Sequence, residues 1–233
     1  MANLVALRGK IADWASMQRC ALLGGSLGDG GALSLAGLAG SSAIDSLRQG
    51  VTAFAPPNQI DWHVTGVDGV FCPALDALRP LVPAFGATGA PALALQMADG
   101  KIRLKDGERV RVQLTMPDFA SRLRVDYVAH DGTVQHLYPQ IADPKDNIQA
   151  DAPRTFGASE TVSLGDPAWV IGPPYGTDLI IAVTSSRALF DKPRSSNAET
   201  AAVYLRDLQA AIDAARQRGD RVAGAVTMLE ALP

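Results

Sequence analysis

Cysteine and histidine are scarce in this chain, two and three in 233 residues. So few soft or imidazole ligands exclude most zinc-type centres, which gather three or four such groups at one ion. Charged residues are also sparse, at 19%, and balanced, with 24 acids against 21 bases. A net charge of −3 offers no clustered basic excess, which excludes an electrostatic nucleic-acid footprint. No apolar run reaches the ~18 to 20 residues of a membrane-spanning helix, because Gly, Pro or Asp interrupts each one. The opening Met1-Ala2-Asn3-Leu4 lacks the basic and apolar regions of a signal peptide. Neither G-x-G-x-x-G nor G-x-x-x-x-G-K-[ST] occurs, so no nucleotide cofactor is expected.

What is present is apolar content. At 47% hydrophobic residues the chain can bury a proper core, unlike a disordered segment. The charge is unevenly spread: residues 1–90 hold five of the 21 bases and six of the 24 acids. Between the sparse and the ordinary part lies Pro83-Ala-Phe-Gly-Ala-Thr-Gly-Ala-Pro91, rich in helix and strand breakers. Two domains are expected, 1–85 and 92–233, joined by a linker over 86–91.

In the first part, Leu4, Leu7, Ile11 and Trp14 recur at helical spacing. Cys20–Leu27 and Ala32–Gly37 read as strands around the glycine-rich turn 28–31. Ile44, Leu47, Val51 and Phe54 mark a second helix, which Pro56-Pro57 ends. Ile60, Trp62 and Val64 alternate with polar residues as a third strand, and Pro73 suits the first turn of a short last helix. The order is α-β-β-α-β-α.

In the second part, strands are expected at 92–97, 109–115, 122–129, 134–138, 160–164 and 178–185, with an Asp131-Gly132 hairpin turn. Ser196 and Glu199 have capping-box spacing for a C-terminal helix, with an apolar face of Ala201, Leu205, Leu208, Ile212 and Ala215 and a stop at Gly219. A strand from Val222 to Leu229 follows. The fold class is α+β: a small α-β-β-α-β(-α) domain, then an antiparallel β-sandwich with a C-terminal helix.

Cys20 opens one predicted strand and Cys72 follows another, so neighbouring strand ends can bring them to bridging distance. A disulfide closing this loop of about 50 residues would constrain the unfolded chain by roughly 4 kcal/mol. It would place the domain in the periplasm or outside the cell. The alternatives are two reduced cysteines in a cytoplasmic protein, or a reactive Cys72 thiol at a helix start.

Other candidate chemistry is weaker. Gly24-Gly25-Ser26-Leu27-Gly28 matches G-x-S-x-G, but a nucleophile elbow needs a helix after the turn and here a second strand follows. Asp143, Asp146, Asn147 and Asp151 offer oxygen ligands without the calcium-loop spacing. His63 reads as solvent-facing, His130 as part of a turn and His136 as a strand residue. Bases at alternate positions, among them Lys101, Arg103, Arg122 and Arg124, read as a charged outer sheet face with Asp126 interleaved. Trp169 and Tyr175, in a segment rich in proline and aromatics, are the candidate binding residues, since these side chains favour contact sites.

The run Tyr127-Val-Ala-His-Asp131-Gly132-Thr-Val134-Gln-His-Leu137-Tyr138-Pro139 resembles the signature hairpin of a bacterial domain family of unknown function. A later strand, Asp178 to Ser186, with Leu189-Phe190 after it, and the closing Tyr204–Leu208 and Arg221–Ala225 also fit, so the resemblance spans about residues 91–230. That family occurs C-terminal to serine/threonine kinase and caspase-like domains. The first part resembles, through its element order and Leu33-Ser-Leu-Ala-Gly37, a BON-type domain, a kind implicated in binding envelope phospholipids or proteins. These resemblances imply a non-enzymatic sensory or docking module of a larger signalling or secretion-linked protein. It would lie on the periplasmic or extracellular side, bind a protein or envelope ligand, and have a membrane anchor or catalytic domain upstream. The rival expectations are a hydrolase using Ser26 or a metal in the 143–151 loop, and a structural subunit of an envelope assembly.

Overall fold

The computed structural model describes residues 2–83, 85, 93–119, 121–139, 147–148, 153–156, 169–192, 194 and 199–233. Chain contacts divide it into two compact units, Met1–Gly89 and Ala90–Pro233. The expected linker at 86–91, the strand at 160–164 and the acids Asp143, Asp146 and Asp151 lie outside the described residues.

The first unit runs α1 (Ala2–Met17), β1 (Ala21–Leu27), β2 (Leu33–Gly40), α2 (Ile44–Val51), β3 (Ile60–Val67) and α3 (Cys72–Leu78), the expected order. β2 pairs antiparallel with β1 and parallel with β3. A parallel neighbour requires a crossover, and α2 supplies it. Ile11, Leu23, Leu33, Leu35, Leu47, Val51 and Val64 form one buried cluster that joins α1 and α2 to the sheet. Phe71, Leu75 and Leu78 are fully buried where α3 packs on β1 and β2.

Two glycines make the β1–β2 pair possible. Gly25 and Gly37 have φ of +155° and +144°, and an added Cβ would lie 2.0 Å from the Ser34 oxygen and 1.9 Å from the Leu22 oxygen. Only a residue without Cβ fits there. The expected Cys20–Cys72 disulfide is present, joining the start of β1 to the start of α3 across 52 residues. Cys20 has a left-handed φ of 51°. Asp76 on α3 supports it by accepting the Cys20 amide at 2.8 Å and the Arg79 guanidinium at 2.8 Å.

The second unit begins with β4 (Ala94–Met97), β5 (Arg103–Lys105), β6 (Arg109–Val110), β7 (Val112–Thr115), β8 (Ser121–Val128) and β9 (Thr133–Tyr138). It continues with β10 (Asn147–Ile148), β11 (Pro153–Phe156), β12 (Trp169–Val170), β13 (Thr177–Ser185), β14 (Glu199–Thr200), α4 (Ala201–Gln217) and β15 (Val222–Leu232). The main sheet has the order β14-β9-β8-β13-β15-β5, with β10 also paired to β8; β11-β7-β4 and β12-β6 form two smaller sheets. One apolar cluster joins Met97, Val112 and Leu114 of the small sheets to Val125, Ile180, Ala182 and Ala225 of the main sheet. α4 covers the other face, burying Tyr204, Leu205, Leu208 and Ile212.

Three expectations need correction. The sheet pairing is not wholly antiparallel: β5 adds parallel to the β15 edge, a pairing that Arg103-Leu-Lys105 is too short and too charged to announce. The helix starts at Ala201 behind an N-cap Thr200, with no side-chain cap bond, rather than at a Ser196 cap. Ser196 lies outside the described residues, and Glu199 forms a short strand beside β9, with its carboxylate bound by Arg194 and His136. The face holding Arg124 and Asp126 is not an outer one: α4 lies over it, leaving these residues 7% and 1% exposed.

Candidate functional site

The signature hairpin is built by its turn. Asp131 Oδ1 accepts the Thr133 amide at 2.9 Å and its hydroxyl at 2.7 Å. Gly132 takes a φ of +83° that side chains disfavour. The Ala129 amide then donates to the Thr133 carbonyl at 2.9 Å, which sets the register of β8 and β9. The Asp-Gly signal therefore marks the turn that the chain makes.

Asp178, at the start of β13, is 1% exposed and gathers three donors. Its Oδ2 accepts from the Tyr127 hydroxyl at 2.5 Å; its Oδ1 accepts the His130 amide at 2.8 Å and faces His130 Nδ1 at 2.7 Å. Burial, and then the bond to Asp178, push the Tyr127 phenol far above its usual value, so it stays protonated. The His130 ring lies against Gly176, where a Cβ would come within 2.6 Å of Cε1. Absence of a side chain at Gly176 is thus what lets the imidazole reach the carboxylate.

Beside this group opens a pocket of about 370 Å³. The hairpin contributes Tyr127, Asp131, Thr133, Gln135 and Leu137 to one wall, and the 169–174 segment contributes Trp169, Val170 and Pro173 to the other. Asp178 lies in its lining as well. The hollow is of mixed character, with aliphatic and aromatic residues beside polar ones, and such fixed polar groups are what orient a ligand in a site. Thr133 holds the Asp131 carboxyl below its usual range, with the nearby His130 adding to that effect. No serine, threonine or cysteine side chain among the described residues hydrogen-bonds to His130.

A second polar group is sealed under α4. His136 Nδ1 lies 2.6 Å from Asp126 Oδ1, and Nε2 lies 3.0 Å from Glu199 Oε1. The Tyr204 hydroxyl donates to Asp126 Oδ2, and Arg124 approaches both Asp126 and Tyr204 at 3.4 Å. Arg194 braces the rim with Glu199 at 2.9 Å and Asp207 at 3.2 Å. Burial raises the Tyr204 phenol well above its usual value, and Asp126 adds to this. Burial opposes the Arg124 charge, but Asp126 and Tyr204 outweigh it and raise its pKa. Fully partnered buried charges of this kind tie strands to a helix.

The sequence candidates separate in space. Trp169 is 9% exposed and belongs both to the core and to the pocket wall. Tyr175 packs against the same core, its hydroxyl on Asp106 at 3.0 Å, and is not in the lining. Ser26 is an exposed residue within β1, opposite Ser34, so the G-x-S-x-G match is a strand and not a strand-to-helix elbow. His63 is solvent-facing and pairs with Asp61 at 2.8 Å. Among the described residues no group of three or more His, Cys, Asp or Glu side chains could hold a metal ion. No helix of the described residues is long and apolar enough to cross a membrane.

Sequence reasoning missed Asp178 as an organising residue, though a lone acid heading the run Leu179–Val183 was the available signal. It also missed the Arg124–Asp126–His136–Tyr204 group, because alternating charges in a strand look the same beneath a helix as in water.

No curated protein and no solved structure matches the chain. Residues 103–188, which include every residue named in the pocket, match the family model described as Domain of unknown function (DUF4384), in agreement with the hairpin's resemblance to a domain of that kind.

Proposed function

We propose that this chain is a non-enzymatic sensory or docking module of a larger bacterial envelope protein, such as a serine/threonine kinase, and that the pocket beside the signature hairpin is its contact point. The observation that carries this reading is the placement of the signature residues. Tyr127, Asp131 and Leu137 converge with Trp169 on one concavity, while Val128 and Val134 of the same signature serve the core. The disulfide supports an extracytoplasmic setting, where such bonds persist. The α-β-β-α-β order of the first unit suits a BON-like companion domain that binds an envelope component.

The test is site-specific photo-crosslinking in the native host. A benzophenone side chain replaces Val170, which is 55% exposed at the pocket rim, or Val203, 43% exposed on α4 over the opposite face of the main sheet. A discrete adduct from position 170 and none from 203 is expected. No adduct from 170, or the same adduct from both positions, overturns the reading.

A further inference from the structure

The lining of the pocket is biased in charge. It includes two carboxylates, Asp131 and Asp178, and none of its described lining residues is basic. The two acids are not equivalent. Asp178 is buried and already accepts from Tyr127 and His130, so its capacity is spent inside the fold. Asp131 is exposed at the mouth; its Oδ1 takes both Thr133 bonds, and its Oδ2 has no side-chain partner among the described residues. Tyr127 and Trp169 also line the hollow. An exposed carboxylate with an oxygen that no described side chain occupies, together with two aromatic residues in the same lining, forms the combination that attracts an organic cation.

The 170–174 side of the rim carries apolar residues that extend beyond what a small amine would touch. Val170 is 55% exposed, and Pro173 and Pro174 lie exposed beside it. Such a margin suits the backbone and neighbouring side chains of a polypeptide that inserts one residue. We propose that the pocket receives a lysine or arginine side chain of a partner polypeptide, with Asp131 as its counter-charge and Tyr127 and Trp169 as its aromatic walls. This rests on the docking reading above and gives that contact its chemistry.

The experiment titrates the full chain with short acetylated peptide amides, Gly-Lys-Gly and Gly-Arg-Gly, and follows the backbone amide resonances of Gly132, Thr133 and Gly172. The controls are the neutral Gly-norleucine-Gly, the acidic Gly-Glu-Gly and free butylammonium. Saturable shifts with the lysine and arginine peptides are expected, at least about ten-fold tighter than with norleucine. Asp131→Asn keeps an oxygen for Thr133, so the turn persists, and should lose that ten-fold preference. Gln135→Lys sets an ammonium in the lining and should abolish binding. Norleucine binding equally well, the acidic peptide binding better, or Asp131→Asn binding unchanged overturns the proposal. Butylammonium matching the lysine peptide overturns the polypeptide occupant. If crosslinking at Val170 fails while the peptides bind with this preference, the docking role falls and the cation chemistry stands. If an adduct forms but the cationic peptides show no preference, the reverse holds.

Discussion

Asp178 shows how one buried carboxylate sets the state of its neighbours. The Tyr127 hydroxyl is bonded to it, and removing that donor leaves a buried acceptor short of a partner. Tyr127→Phe should therefore lower stability by about 1–3 kcal/mol, read as the shift in a urea unfolding midpoint. The pH dependence has a definite sign. Tyr127 and Tyr204 both hold their protons above the usual phenol value, because burial and a neighbouring carboxylate disfavour the phenolate. The unfolded chain releases those protons first, so their contribution is complete below about pH 10 and is lost as the pH rises past it. The phenolate absorbance of these two tyrosines should appear together with unfolding, and Tyr127→Phe should flatten part of the alkaline loss. A gradual titration of all tyrosines before any unfolding would contradict this. Residue identity was legible where the backbone demands it, as at Asp131-Gly132. It was illegible at Gly25 and Gly37, since no local turn signals that a neighbouring strand's carbonyl lies 2 Å from where a Cβ would be.

At the scale of elements, α4 explains what the strands could not announce. Its expected apolar face, Ala201, Leu205, Leu208, Ile212 and Ala215, is buried as the 3.6-residue spacing requires, and Tyr204 is buried with it. Gly219, with a φ of +78°, ends it, and the Asp220 amide returns to the Ala215 carbonyl at 2.9 Å. Tyr204 reaches Asp126 and thereby ties the helix to β8. Asp126→Ala would leave Arg124 short of a counter-charge and His136 short of a partner in the interior. A loss of about 3–5 kcal/mol in a chemical melt is expected. Val203→Ser, on the exposed side of the same helix, should stay within about 0.5 kcal/mol. A strand pattern of period two identifies which residues share a face, but not what covers that face. Arg124 and Asp126 were legible as neighbours and illegible as core.

At the scale of the whole molecule, the two units have separate cores, around Leu33 and Leu35 in one and Ile180 and Ala182 in the other. The only cysteines are both in the first unit. Reduction should therefore act on one unit alone. Two unfolding transitions are expected in denaturant, and adding a thiol reductant should lower one of them by up to about 4 kcal/mol while the other stays in place. Fluorescence can assign them, because Trp14 and Trp62 report on the first unit and Trp169 on the second. A single transition, or a shift of both, would contradict the assignment.

The element order of the first unit, the hairpin turn and the apolar face of the last helix follow from the sequence, because each depends on spacing along a short stretch of chain, whereas the sequence made a Cys20–Cys72 bridge an expectation that the fold decided by bringing the two residues together across 52 positions. The pocket and the buried ionic group follow from the tertiary structure alone. Asp178 meets Tyr127 across 51 positions, and Tyr204 meets Asp126 across 78. Such meetings are decided by which strands pair and which face a helix covers. Those choices minimise exposed apolar area over the whole fold, and no local pattern in the chain encodes them.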